Sequence, residues 1–234
     1  MTLDCEHCPV RDRAACSVLD PEEREALARA GRTRKLRRGE TLFAAGDENA
    51  ACATLLSGAL KIATVDEEGT ERILALVHPA GFIGELFAPF AHHDVIALTD
   101  SELCVFPKSE MGRAVELNPK LAQALLRRSQ EDLLQSRELL ALSGRRSAAS
   151  KVAGLLMGLA EAASDSSCHP AREFELPLTR GEIAGMLGLT IETVSRAITK
   201  FERDGMIRRK GARGCPVSRP CLAGHTPAPR TPSH

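Results

Sequence analysis

Between Thr179 and Phe201 the chain reads TRGEIAGMLGLTIETVSRAITKF, and few folds accommodate that order of residues. Thr179 followed three positions later by Glu182 is a capping box, in which each side chain serves the other's backbone N–H and so starts a helix. Ile183, Ala184 and Leu187 then share one face. Gly188 breaks the helix, and Thr190 is a natural N-cap for a second. The spacing of Ile191, Val194, Ile198 and Phe201, three and four apart, predicts their burial on one side of that second helix. Two short helices joined by a tight turn are the expected result.

Glu192, Ser195 and Arg196 remain outward at i, i+3 and i+4, projecting together from the first turns of the second helix. A recognition helix reads DNA from that position. Arginine donates to both acceptors of a guanine edge, glutamate accepts from the cytosine amino group, and serine reaches several base edges or a phosphate. Thr190, Thr193 and Lys200 complete the predicted DNA-facing set. An ordinary exposed face carrying a Glu–Arg pair would look similar, but it would not follow a capped helix, a glycine turn and a second cap. From Arg172 to Arg213 there are nine Lys or Arg against six Asp or Glu, in a chain whose overall formal charge is zero. Arg208, Arg209, Lys210 and Arg213 are therefore candidates to neutralise phosphates, which supplies affinity without sequence information.

At 234 residues the chain is long enough for two domains with a sizeable core. It has no apolar run able to cross a bilayer and no apolar N-terminal segment, so a soluble, cytoplasmic protein is expected. Trp and Tyr are absent. Single-strand and RNA-binding surfaces depend on stacking aromatics, so their scarcity favours duplex DNA read through a groove. Eight cysteines in a cytosolic protein point to ligands or redox groups rather than a disulfide framework.

Three of those cysteines, Cys5, Cys8 and Cys16, lie in the leader in a C-x2-C-x7-C arrangement. That spacing suits zinc or an iron–sulfur cluster, with one further ligand from elsewhere. Asp20-Pro21-Glu22-Glu23 then opens a short helix that runs to Ala30 and stops at Gly31. From Thr33 to Phe106, short β-forming runs alternate with glycine turns: 40–43, 59–65, 72–77, 95–98 and 103–106. This is the texture of a small β-barrel or jelly roll, a sensory or scaffolding module. Within it, Cys52 and Cys104 read on residue type alone as small buried hydrophobes.

A long helix is expected from Asn118 to Ser143, closed by Gly144. Ala122, Leu126, Ser129, Leu133, Ser136 and Leu140, alternately four and three apart, form a heptad seam with leucine at every second place. Such a Leu/small-residue seam makes a weak dimer interface. Another apolar-faced helix follows from Ser147 to Ala163, then a polar loop with Cys168, and a short strand over Phe174–Leu178.

This order of parts resembles the CRP/FNR superfamily of transcription regulators, an α+β architecture of N-terminal β-roll, long dimerisation helix and C-terminal winged helix-turn-helix. Glu192-Thr193-Val194-Ser195-Arg196 matches the E-x-x-S-R form of the FNR branch, and the leader resembles that of FNR-type iron–sulfur oxygen sensors. Leu103-Cys104 with Pro107 resembles the place where that branch keeps its fourth ligand. The domain boundaries expected from the resemblance are a cluster-binding leader at 1–17, a β-roll at 18–117, a dimerisation helix at 118–144, a DNA-binding domain at 145–214 and a disordered tail at 215–234. The resemblance implies a 4Fe-4S cluster held by Cys5, Cys8, Cys16 and Cys104, which supports a homodimer without oxygen and is degraded by oxygen. It also implies duplex DNA with palindromic TTGAT-type half-sites, and RNA polymerase as a partner. The alternative is an FNR-like regulator whose leader cysteines bind zinc or sense thiol redox state without a cluster.

A cyclic-nucleotide receptor is the near rival. Gly84-Glu85-Leu86 resembles the start of the nucleotide cassette, but His92-His93-Asp94-Val95 stands where the phosphate-holding Arg and Ser/Thr belong, so cyclic nucleotide is not expected. An enzyme is not expected either: the chain shows no glycine-rich phosphate loop, zinc-hydrolase helix or nucleophile–base constellation. Beyond Gly214 the family's final strand is expected to be missing, because Cys215-Pro216-Val217-Ser218-Arg219-Pro220-Cys221 is poor material for a ladder. Cys215, Cys221 and His225 are a weaker candidate for a second metal site.

Overall fold

The computed structural model describes residues 3–164, 171, 173–208 and 214–216. They divide into two compact units, Met1–Ser136 and Arg137–His234.

In the first unit the leader leads through a 3-10 turn at Ala15–Val18 into helix α1, Pro21–Ala30. Asp20 accepts from the Glu23 N–H at 2.8 Å, while the Glu23 carboxylate accepts from the Asp20 N–H at 3.0 Å, closing a capping box ahead of Pro21. Eight antiparallel strands follow: β1 Arg32–Leu36, β2 Thr41–Phe43, β3 Ala51–Ser57, β4 Leu60–Val65, β5 Glu71–Val77, β6 Phe82–Ile83, β7 Asp94–Ala97 and β8 Ser101–Pro107. They form two four-stranded sheets with orders β1-β8-β3-β6 and β2-β7-β4-β5, a β-roll. Leu55, Leu60 and Leu103 are fully buried between the sheets, each stabilising the fold by about 1.5–3 kcal/mol relative to an exposed side chain. Helix α2, Lys108–Leu117, and the part of α3, Pro119–Ser143, that runs up to Ser136 complete the unit's helical layer.

Strand alternation decides where Cys104 points. Leu103 and Val105 of β8 belong to the core between the sheets. Successive side chains on a strand face opposite sides. Cys104 and Phe106 therefore face outward, into a second apolar cluster with Leu27 of α1, Met111 of α2 and Leu121 and Leu125 of α3. Thr54 of β3 pairs directly with Cys104.

In the second unit helix α4, Ala148–Ala162, is capped by Ser147, which accepts from the Ser150 N–H at 3.0 Å. Helices α5, Arg180–Leu187, and α6, Ile191–Arg203, pack on it and on each other. Val152 and Leu156 of α4, Ile183 and Leu187 of α5, and Val194, Ile198 and Phe201 of α6 are buried. Gly188 joins α5 to α6 at φ 60°, left-handed backbone that suits glycine. Lys151 Nζ donates to the Leu187 carbonyl at 3.1 Å, satisfying the end of α5.

Several sequence expectations need correction. Ile191 is 53% exposed, whereas Ala197 is buried with Val194, Ile198 and Phe201; the α5 residue beside Ile191 is Gly181, which has no side chain to cover it. The expected strand at Phe174–Leu178 is shorter and earlier, β9 at Glu173–Glu175. The chain after Gly214 does form a ladder: β10, Gly214–Pro216, pairs antiparallel with β9. A two-stranded sheet has only edges, where proline's missing donor is tolerated, so order continues into the start of the predicted tail. Cys168, Arg209, Lys210, Arg213, Cys221 and His225 lie outside the described residues, as does the side chain of Cys215. No helix among the described residues is long and apolar enough to cross a membrane.

Candidate functional site

Cys5, Cys8, Cys16 and Cys104 line a single cavity. Its remaining wall includes Val10 and Ala14 of the leader, Arg24 and Leu27 of α1, Thr54 and Leu56 of β3, Met111 of α2 and Leu121 and Leu125 of α3. The leader is seated there by Val10 and Ala14, both buried against Ala80. The thiols are not drawn into a finished ligand shell: among the described residues, no three His, Cys, Asp or Glu side chains converge tightly enough to hold an ion.

Burial pushes the Cys104 thiol up to about 12, and the nearby Cys8, Cys5 and Cys16 add to the shift. Cys16 is raised to about 11 by burial, then by Cys8 and Cys5. Cys5 is raised for the same reasons, burial first and Cys8 second. The cysteines thus disfavour one another's thiolates until a cation is shared among them. Arg24 opposes that cost by lowering Cys5 and Cys16. Its Nη2 donates to the Leu19 carbonyl at 2.7 Å, and its buried Nε has no hydrogen-bond partner among the described residues. An unsatisfied buried donor is costly, and this one lies in a residue that lines the cavity of four thiols.

Cys52 differs in kind. It is 1% exposed on β3, its thiol is pushed to about 12 by burial alone, and it does not line the cavity. It is a core residue, as its sequence context suggests.

The cavity touches α3 twice. Leu121 and Leu125 form part of its wall, and one turn on, Arg128 Nη2 donates to the Arg13 carbonyl at 2.6 Å, within the Cys8–Cys16 segment. Arg128 Nη1 is also 2.9 Å from Glu131. On the seam predicted for dimerisation, Leu126, Leu133 and Leu140 are 61%, 50% and 74% exposed. Ser129 is exposed as well, with Oγ donating to the Leu125 carbonyl at 3.1 Å, while Ala122 and Ser136 are half-buried. Leu126 and Leu133, in the first unit, are therefore left uncovered by the β-roll of that unit.

In the second unit the side chains expected to face outward from α6 differ in exposure. Glu192, Arg196 and Lys200 are exposed, and Ser195 and Thr193 are half-buried. Thr190 caps α6 by accepting from the Thr193 N–H at 3.2 Å. Arg196 Nη2 donates to Thr193 Oγ1 at 3.3 Å. The Glu192 carboxyl is held below its ordinary range by its own backbone N–H at the helix start, then by the Thr190 hydroxyl and Arg196. Arg180 on α5 donates from Nη1 to Ser195 Oγ at 3.0 Å. Arg208, after α6, is exposed. The sequence reading passed over Arg24, Arg128 and Arg180, because a long-range contact of an arginine leaves no local pattern. In the β-roll loop, Glu85 contacts His92, with His93 Nδ1 4.0 Å away.

Known family models match two regions of the chain: a cyclic nucleotide-binding domain over residues 33–118, which contains Cys104 but not the leader cysteines, and a Crp-like helix-turn-helix domain over residues 150–218, which contains α6. The transcriptional activator protein FnrL of Cereibacter sphaeroides is 34% identical over 212 residues, covering 89% of this chain and 86% of that protein. The chain belongs to the CRP/FNR family of transcription regulators. Within this family it is also 34% identical to the nitrogen fixation regulation protein FixK of Bradyrhizobium diazoefficiens, over 87% of this chain and 85% of that protein. It is 28% identical to the fumarate and nitrate reduction regulatory protein of Escherichia coli K12, over 89% and 84%. The solved structure of FixK2 from Bradyrhizobium japonicum superposes with a TM-score of 0.76 at 23% identity, covering 85% of this chain and 98% of that one, and so shares the fold. The relatives are transcription regulators, and this chain is one of the FNR/FixK type with a DNA-binding helix-turn-helix.

Proposed function

We propose that this regulator responds to oxygen, binding duplex DNA in the cytoplasm as a homodimer at palindromic TTGAT-type half-sites while an oxygen-labile 4Fe-4S cluster is intact. Cys5, Cys8, Cys16 and Cys104 would hold the cluster. The observation that carries the reading is that these four cysteines, from two distant parts of the chain, line one cavity whose wall includes α3. The donor set fits: four thiolates around such a cluster form a net anion, and the cation Arg24, whose buried Nε has no hydrogen-bond partner among the described residues, is one of the residues lining the cavity.

When bound, the cluster supplies a redox-labile cross-link between leader and β-roll. The chain's own residues do the rest. Leu121 and Leu125 bring α3 against the cavity, and Arg128 ties it to the leader backbone. The exposed Leu126, Leu133 and Leu140 supply a seam for a second copy, weakened by the small residues between them. A dimer presents two α6 helices to two half-sites. A monomer presents one, and its specific affinity collapses.

The test is anaerobic reconstitution followed by absorption spectrum, iron and sulfide analysis and sedimentation, before and after air. A brown protein with about four irons per chain that bleaches and becomes monomeric in air is expected. A colourless protein that retains zinc and ignores air would replace the cluster by zinc or thiol chemistry and leave DNA reading in place.

A further inference from the structure

Of the three side chains that project together from α6, two have a fixed hydrogen-bonding sense. Arg196 only donates, and ionised Glu192 only accepts. Ser195 is the ambiguous one, because a hydroxyl has one proton and two lone pairs. The structure removes that ambiguity. Ser195 Oγ accepts from Arg180 Nη1 at 3.0 Å, and a guanidinium has no lone pair to offer in return. With an accepting site filled by a cation, the hydroxyl is polarised to donate, and an approaching amino group meets both a competing donor and a positive charge.

We propose that Arg180 is a specificity-determining positioning residue. It holds Ser195 as a donor, so that at the position Ser195 reaches α6 favours a base whose own edge offers an acceptor, such as thymine O4, guanine O6 or N7, or adenine N7, over cytosine with its amino group. This rests on α6 being the DNA reader. It deepens that reading by assigning the kind of edge Ser195 takes and by giving α5 a part in base discrimination. Arg180 is half-buried at the first position of α5, with one arm of its fork already committed to α6. It acts on sequence through Ser195, not as a contact to phosphate.

The test uses the full chain, reconstituted anaerobically, with a palindromic duplex of TTGAT-type half-sites and a series in which each half-site pair is replaced in turn. Affinities are measured by fluorescence anisotropy at several salt concentrations. Ser195→Ala marks the pair that Ser195 reads, as the position whose preference disappears. At that pair the unsubstituted protein is expected to prefer an acceptor edge by roughly tenfold. Arg180→Met is expected to flatten the same position as far as Ser195→Ala does, with no further loss in the double variant and no change in the salt slope.

An even loss across all duplexes, with the salt slope reduced by about one, would make Arg180 a phosphate contact and overturn the proposal. So would additive effects in the double variant. Arg180→Ala, well tolerated at a first helical position, gives the same comparison if methionine lowers the melting temperature. An unsubstituted protein with no half-site preference at all would overturn the reader assignment itself, an outcome distinct from a normal preference that ignores Arg180.

Discussion

Cys52 and Cys104 show how much one strand register decides. Both are cysteines on neighbouring strands of one sheet, and both thiols are pushed up by burial, yet only Cys104 lines the cavity with the leader cysteines. Cys104→Ala is therefore expected to abolish iron retention after anaerobic reconstitution, as read by iron and sulfide analysis. Cys52→Ala should keep the metal and lower stability by only about 1 kcal/mol, as measured by urea unfolding of the unloaded protein. Equal iron loss in both variants would remove Cys104 from the ligand set. Arg24 makes a separate prediction at this scale. Its Nε is the orphaned donor of the cavity residues, so Arg24→Met should weaken metal retention by about 10–100-fold in chelator competition, the usual cost of losing an outer-shell partner. Retention equal to the unsubstituted protein would show that the buried donor faces something other than the thiolate-held group.

Among the elements, α3 is the most legible from sequence and also the most exposed to test. Asn118, Pro119 and Gly144 bracket it correctly, and its heptad leucines are uncovered in the structure. Leu133→Asp should leave the monomer's stability within about 0.5 kcal/mol, since the side chain is already 50% exposed. It should cost the dimer about 1.5–3 kcal/mol for each leucine no longer buried, and sedimentation under anaerobic conditions separates the two effects. Ser129→Leu should act oppositely, giving a dimer that persists in air because the seam no longer needs the cavity's help. A variant that remains monomeric in air and without it would place the interface elsewhere. The elements that the sequence concealed are instructive for physical reasons. Strand β1, RTRKL, is an edge strand with three cations and carries little apolar signal. Strand β3, ACATLLS, faces the core on one side and the helices and leader on the other, so its polar alternation is lost. Helix α2 has only Met111 fully buried and is separated from α3 by Asn118 alone. Ile191 satisfied the helical spacing but lies in the first turn of α6, where periodicity does not report whether anything stands opposite. The cavity was legible only through its cysteines, because Leu121, Leu125 and Arg128 meet the leader by tertiary packing.

For the whole molecule, the proposed signal is a coupling free energy, and such coupling is reciprocal whatever path carries it. If the loaded cavity favours the dimer, and the dimer favours a palindromic duplex, then duplex must favour the loaded cavity by the same factor. Coupling energies of this kind are typically about 1–3 kcal/mol, or about 5–150-fold. The expectation is that saturating palindromic DNA raises the concentration of a ferrous chelator needed to strip the protein anaerobically, by a factor equal to the loss of DNA affinity on removing the metal. A duplex with scrambled half-sites at the same concentration should give a smaller shift, because non-specific phosphate contacts do not require two readers in register. Leu133→Asp should abolish the shift while leaving the iron content at zero chelator unchanged, since it interrupts the proposed dimer seam and is not one of the cavity-lining residues. Chelator curves that coincide with and without the palindrome would show that metal binding and DNA reading share a chain without being linked. Cys5, Cys8, Cys16 and Cys104 would then be a structural staple for the leader rather than the input of a switch.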